Sequence, residues 1–228
     1  MRIVQLLALL ALVAVIPMKA GADPISAGDI VKFSDLPGNT GGGEFNLTDV
    51  NNTAEWIITF CLQKTEYMNF TNNFIVGSIN TYTLTDPNDK GGVNGMDPIS
   101  SQTAWLYTQF TNQALSNYVY GNTGNGVFGS REASANALQH AFWGFEGEET
   151  LDANNYFVQL ALNSTPQNFG IGNVAVLNMY LYDPTKSGGI GAEAQDQLTM
   201  RTVPEPTTLT LMGLGMVGMT VARRRAKK

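Results

Sequence analysis

Between Glu55 and Gln63 the chain reads EWIITFCLQ, with Trp56, Ile58, Phe60 and Leu62 on one side of a two-residue alternation and Ile57, Thr59 and Cys61 on the other. That period, carried by β-branched and aromatic residues, predicts a strand. NNFIVGSINTYTLT, residues 72–85, has the same character and predicts strand over much of 55–80. TDPNDKGGVNGMDP, residues 85–98, is dense in turn formers and predicts a loop. The period then lengthens. SQTAWLYTQFTNQALSNYVY sets Ala104, Tyr107, Phe110, Ala114, Leu115 and Tyr118 at helical spacing, predicting a helix over 102–118. SREASANALQHAFWGFEGEE predicts a second over 131–145, with Ser130 as N-cap and Glu132 in its first turn. LDANNYFVQLALNS predicts a third, ended before Pro166. Finally NVAVLNMYLYD and AQDQLTMR alternate again, predicting strand over 173–200. The order strands, helices, strands implies an α+β fold. The expected form is a β-sandwich or barrel-like sheet with a helical insertion between the Cys61 strand and the Gln139 helix, without internal repeats.

The two ends follow neither period. Met1-Arg2 is a short cationic start, Ile3 to Ile16 is apolar apart from Gln5, and Ala20-Gly21-Ala22 supplies small residues at the right distance. These are the three parts of a secretory signal peptide, so residues 1–22 are expected to be removed after Ala22. A transmembrane anchor needs about 20 apolar residues and is poorly served here. At the other end, Leu209 to Ala222 is apolar apart from Thr210 and Thr220, and Arg223, Arg224, Arg225, Lys227 and Lys228 follow at once. A helix over about 207–222 barely crosses a hydrocarbon core of roughly 30 Å. The basic cluster would act as a stop-transfer signal with its C-terminus cytoplasmic. Five terminal charges have no use in a protein core.

Pro204-Glu205-Pro206, a Gly-rich apolar segment and a terminal Arg-rich cluster, in that order, resemble the PEP-CTERM sorting signal. The resemblance covers residues 201–228. It implies export by a Gram-negative bacterium through the secretion machinery, transient anchoring in the inner membrane, and processing by an exosortase near the Pro-Glu-Pro. The destination it implies is the cell surface or extracellular matrix. It leaves the activity of residues 23–200, the ectodomain, open.

Composition then narrows the function classes. Residues 23–202 hold six basic against 18 acidic side chains, a net charge of −12 where the whole chain carries −6. Such a surface repels nucleic acid and anionic lipid, so no nucleic-acid partner is expected. Asp86, Asn88, Gly91 and Asp97 match positions of a calcium loop, but Lys90 stands where a ligand oxygen belongs, so a solvated turn is expected. His140 is the only histidine and has no triad partners in sequence. No metal or cofactor is expected. Glu146, Glu148 and Glu149 read as a solvated acidic turn after the second helix. A hydrolase built on them is the weakest of the functional readings, and enzyme turnover is not expected.

Cys61 is the only cysteine of a chain that reads as exported, where thiols usually pair. It is therefore a buried small hydrophobe, half of an intermolecular bridge, or a thiol with a chemical use. Gln139 lies on a predicted helix with Phe142 and Trp143 three and four residues on, so its amide shares an aromatic face and needs a partner. That partner is either a backbone group or the Cys61 thiol.

The pair, Cys61 in TFCLQ and Gln139-His140-Ala141-Phe142-Trp143, resembles the thioester domains of bacterial surface adhesins. There a cysteine on an early strand is joined to a glutamine in a Gln-x-Ala-Ile-Trp-like motif. Phe142 departs from that motif, replacing the usual isoleucine. TFCLQ, AWLYTQF, LQHAFWGFEGE, VLNMYLYD and QDQL also resemble an ectodomain type carried by PEP-CTERM proteins. The resemblance implies an internal Cys61–Gln139 thioester shielded by Phe142 and Trp143, opened once by a surface amine or hydroxyl ligand to give a covalent link. The competing expectation is a non-covalent structural or glycan-binding component of the exopolysaccharide layer, with Cys61 merely buried.

Overall fold

In a computed structural model, described over residues 23–38, 43–66, 68–84 and 94–202, alternation and helical spacing produce a mixed helix-and-sheet domain. Residues 23–201 form one compact unit. Eight strands run as β1 Ile30–Asp35, β2 Phe45–Asp49, β3 Trp56–Thr59, β4 Phe74–Asn80, β5 Tyr82–Leu84, β6 Met96–Pro98, β7 Val174–Tyr182 and β8 Ile190–Met200. Three helices, α1 Ser101–Thr111, α2 Arg131–Phe145 and α3 Tyr156–Ser164, sit between β6 and β7. Six strands form one sheet in the order β3-β2-β1-β4-β7-β8, and β5 pairs with β6 in a separate hairpin. All pairings are antiparallel.

The two edge strands of the large sheet meet just beyond β3. Leu198 N donates to Phe60 O and Leu62 N to Asp196 O, each at 3.1 Å, and Cys61 bridges to Gln197. Alternation through this segment survives the meeting, because both faces of the sheet are covered. Phe60 and Leu62 face the helices and pack with Leu138, Phe142, Phe110 and Phe157. Cys61 faces the other way, among Val31, Phe33, Phe45, Leu47, Phe74, Val76, Met179 and Trp143. A sheet apolar on both faces must be covered on both, and the inward rings deliver that with edge-to-face contacts such as Phe33–Phe74 at 5.2 Å. β8 contributes to both clusters: Leu198 lies on the helix side and Ala194 on the other. A register irregularity in its pairing with β7, between Leu177 and Met179, moves the side chains across.

The helices depart from the sequence reading in length. α1 stops at Thr111, seven residues short of the expected end. Gln113 and Asn117 adopt positive φ, 54° and 58°, which no continuing helix allows. Leu115 and Tyr118 remain buried, carried inward by a loop that meets the same core. α2 begins as expected, with Ser130 accepting from Ala133 N and Glu132 in the first turn. α3 begins later than Leu151, at Tyr156, where Asn155 accepts from Phe157 N and Val158 N and so caps it. β1 and β2 precede the first strand that the alternation picks out. Met96–Pro98, read as loop, is β6. Its pairing with β5 (Thr83 opposite Asp97) supplies what local propensity withholds. The signal peptide at 1–22, the Pro204–Pro206 motif, the apolar segment at about 207–222 and the basic tail lie outside the described residues. Among the described residues, no helix is long and apolar enough to cross a membrane.

Candidate functional site

Cys61, two residues beyond β3, and Gln139, in the middle of α2, meet in the interior. Neither has solvent exposure. The Gln139 amide oxygen accepts from Gly43 N at 2.9 Å and from Cys61 N at 3.2 Å, while its Nε2 donates to Cys61 O at 2.8 Å. Two converging N–H donors fix which end of the amide carries oxygen. The Cys61 Sγ lies 3.4 Å from that oxygen. The amide carbon, one C=O bond of about 1.2 Å further, is thus within about 4.6 Å of sulfur. No packed side chain separates the two groups at that distance. Two backbone N–H groups aimed at one carbonyl oxygen are the arrangement that stabilises negative charge on it during attack at carbon.

Burial pushes the Cys61 thiol up to about 12, against the opposing pull of Gly43 N–H, its own N–H and the Trp143 indole. Glu148 adds to the rise. The resting sulfur is therefore protonated at neutral pH, and water is kept from it by the surrounding core. Phe142 and Trp143 lie in different clusters. Phe142 packs on the helix side, edge-on to Phe60 at 5.2 Å, whereas Trp143 lies in the same cluster as Cys61. Both are buried, with exposures of 0% and 2%.

Gly43 is positioned by residues that the sequence does not advertise. A Cβ at Gly43 would lie 2.6 Å from Thr59 O and 2.9 Å from Phe60 Cα, so only glycine brings this backbone close enough. The next residue, Glu44, is fully buried. Its carboxylate accepts from Arg131 Nε at 2.8 Å, from Arg131 Nη2, and from the Tyr118 hydroxyl. Arg131 opens α2, and Tyr118 sits in the loop after α1. Burial and the neighbouring Glu44 charge hold the Tyr118 hydroxyl well above its ordinary range, and the Glu44 carboxylate raises Arg131 further. The segment carrying Gly43, just before β2, is thereby tied to the helix carrying Gln139. The one available clue was Arg131 itself, one of six cations in a strongly acidic domain.

The acidic turn after α2 is wired into the fold, correcting the expectation of a solvated turn. Glu146 Oε1 accepts from Ser100 Oγ at 2.8 Å, against the start of α1, and burial pushes its carboxyl up to about 7. Glu148 accepts from Lys64 N at 3.0 Å. Glu149 accepts from Lys64 Nζ at 2.5 Å and pairs with His140 Nδ1 at 2.8 Å. Lys64 Nζ lies over the Trp143 ring, 5.3 Å from its centroid, and His140 meets the same ring edge-on at 5.5 Å. Of the calcium-loop residues, Asp97 lies in β6, and Asp86, Asn88 and Gly91 lie outside the described residues. Among the described residues, no group of three or more His, Cys, Asp or Glu side chains could hold a metal.

The PEP-CTERM protein-sorting motif matches residues 202–226. That match supports an exported surface protein sorted by an exosortase, and it implies a transient C-terminal membrane anchor before processing. No curated protein and no solved structure matches the chain.

Proposed function

We propose that residues 23–200 carry an internal thioester between Cys61 Sγ and the Gln139 side-chain carbonyl, by which the exported chain attaches itself covalently to surface amines or hydroxyls. The observation that carries the reading is the Gln139 oxygen held by two backbone N–H groups with the Cys61 sulfur 3.4 Å away. In forming the bond, sulfur attacks the amide carbon, the C–N bond breaks, and nitrogen leaves as ammonia with the thiol proton. In the binding step an amine attacks the same carbon, the C–S bond breaks, and sulfur takes the proton released by the amine. An amide link and a free Cys61 thiol remain; a hydroxyl would give an ester in the same way. Each molecule reacts once, which is covalent catalysis without turnover, so the domain is an attachment module and no enzyme.

A second reading has an observation in its favour. The Gln139 amide has hydrogen-bond partners at both ends, as a purely structural buried glutamine requires. In that case the protein is a non-covalent structural or glycan-binding component of the exopolysaccharide layer, with Cys61 an ordinary core residue. Intact mass of the exported protein separates the two. The thioester reading expects a mass one ammonia below the sequence, restored in Cys61→Ala and Gln139→Ala apart from the substitution, and a thiol that methylamine frees as it adds to residue 139. A full sequence mass with Gln139 still an amide by peptide mapping would leave the structural reading.

A further inference from the structure

The oxygen of the Gln139 amide has two N–H donors, and a third N–H lies buried in the cluster that holds the sulfur. Trp143 lies one helical turn beyond Gln139 on the same stripe of α2, and its ring joins the cluster that contains Cys61. Its Nε1 is buried without a conventional hydrogen-bond partner. Native interiors rarely leave a donor in that state. The ring shares its buried cluster with Cys61, and its N–H is among the groups that favour the thiolate, although the two make no conventional hydrogen bond. The ring has little freedom to turn elsewhere. Lys64 covers its face, His140 abuts it, and Glu149 ties those two side chains together. A cation over the indole face also draws charge from the ring and makes its N–H a better donor.

We propose that Trp143 is a catalytic residue of this site: its indole N–H stabilises the Cys61 sulfur whenever that sulfur carries negative charge, in making the thioester and in releasing it. The inference rests on the thioester reading. During formation the thiol loses its proton toward the departing ammonia, and the N–H supports the sulfur as it attacks. During attachment the electron pair of the breaking C–S bond moves to sulfur, and the same N–H donates to that sulfur until the proton from the amine arrives. Gly43 and Cys61 N–H groups hold the oxygen of the adduct throughout, so charge on either heteroatom has a donor already in place.

The donor role and a shielding role predict opposite signs. Trp143→Phe keeps an aromatic ring of similar shape and removes the N–H. As a donor, Trp143 makes the Phe variant react with methylamine about tenfold more slowly than the parent and form its thioester more slowly to a similar extent. As a shield alone, its partial loss leaves these rates unchanged or speeds attack and hydrolysis, which would overturn the proposal. Thermal unfolding of both proteins identifies a variant that has simply lost its fold. A second measurement is then decisive: ultraviolet resonance Raman of Cys61→Ala against the parent, both with Trp143 intact. The expected result is a shift in the indole N–H band when the sulfur is removed; an unshifted band overturns the proposal. A parent protein of full mass with an intact Gln139 amide removes the thioester and this role together. A parent lighter by one ammonia with an unaffected Phe variant removes only the role of Trp143.

Discussion

Gly43→Ala tests how closely the site depends on backbone approach. The added Cβ would sit 2.6 Å from Thr59 O, 2.9 Å from Phe60 Cα and 3.0 Å from Phe60 Cδ1. Carbon contacts are comfortable near about 3.5 Å, so relief needs a displacement on the order of 0.5–1 Å. Two of the three neighbours are backbone atoms, which cannot rotate away. Movement of residue 43 draws its N–H from the Gln139 oxygen, now 2.9 Å away, beyond hydrogen-bond range. The overpacking alone costs about 1–3 kcal/mol. For a domain of this size that lowers the midpoint of thermal unfolding by roughly 2–12 °C. Losing one of two oxyanion donors slows attack at the amide carbon by about 10²–10³. The assay is a time course of intact mass after synthesis, following loss of ammonia, alongside a thermal melt. Repeating the melt in a Cys61→Ala background separates the packing cost, which persists, from any gain due to the covalent bond. A variant that loses ammonia at the parental rate with an unchanged midpoint would refute both the steric argument and the role given to the Gly43 N–H.

Two further substitutions address the supports of the site. Glu44→Ala leaves Arg131 and the buried Tyr118 hydroxyl without their shared carboxylate, and because Arg131 keeps some solvent access the expected loss is about 3 kcal/mol, read by chemical denaturation. Arg131→Met in the same chain should recover part of that loss; full additivity of the two changes would contradict a coupled pair. Glu146 is held near 7 when folded against an ordinary carboxyl value of 4.5, so the folded state binds the proton more tightly. Its contribution to stability is complete below about 4.5 and is lost as pH rises through about 7, and Glu146→Gln should flatten stability across that window. A denaturation profile with an unchanged slope would show that the carboxyl is already ionised in the fold.

Much of the architecture was legible wherever burial is decided by one neighbour in sequence. Phe60, Cys61 and Leu62 alternate between two covered faces, and Ser130 caps α2, because period and capping are local properties. Ala114, Leu115 and Tyr118 misled for the same reason. Their spacing is helical, but Gln113 turns the chain and a loop buries Leu115 and Tyr118. β6 was invisible because Met96–Pro98 becomes strand only through its pairing with β5. The acidic turn looked solvated because nothing in Glu146 or Glu149 alone records that Ser100 or Lys64 waits nearby.

By itself the sequence determined the delivery route, through a terminal motif whose parts are contiguous, and the residue types of the pair, a single thiol and an amide on an aromatic helix face. Only the tertiary structure decided that the two meet, that Gly43 and Cys61 point their N–H groups at one oxygen, and that Trp143 is buried in the cluster that holds Cys61, its N–H without a conventional partner. Backbone donors are common to every residue type except proline, so their positions leave no mark in composition or period. Gly43 stands 96 residues from Gln139 and Cys61 stands 78 from it. Contacts at such separations arise when the whole sheet closes against its helices, and no window of sequence contains both partners.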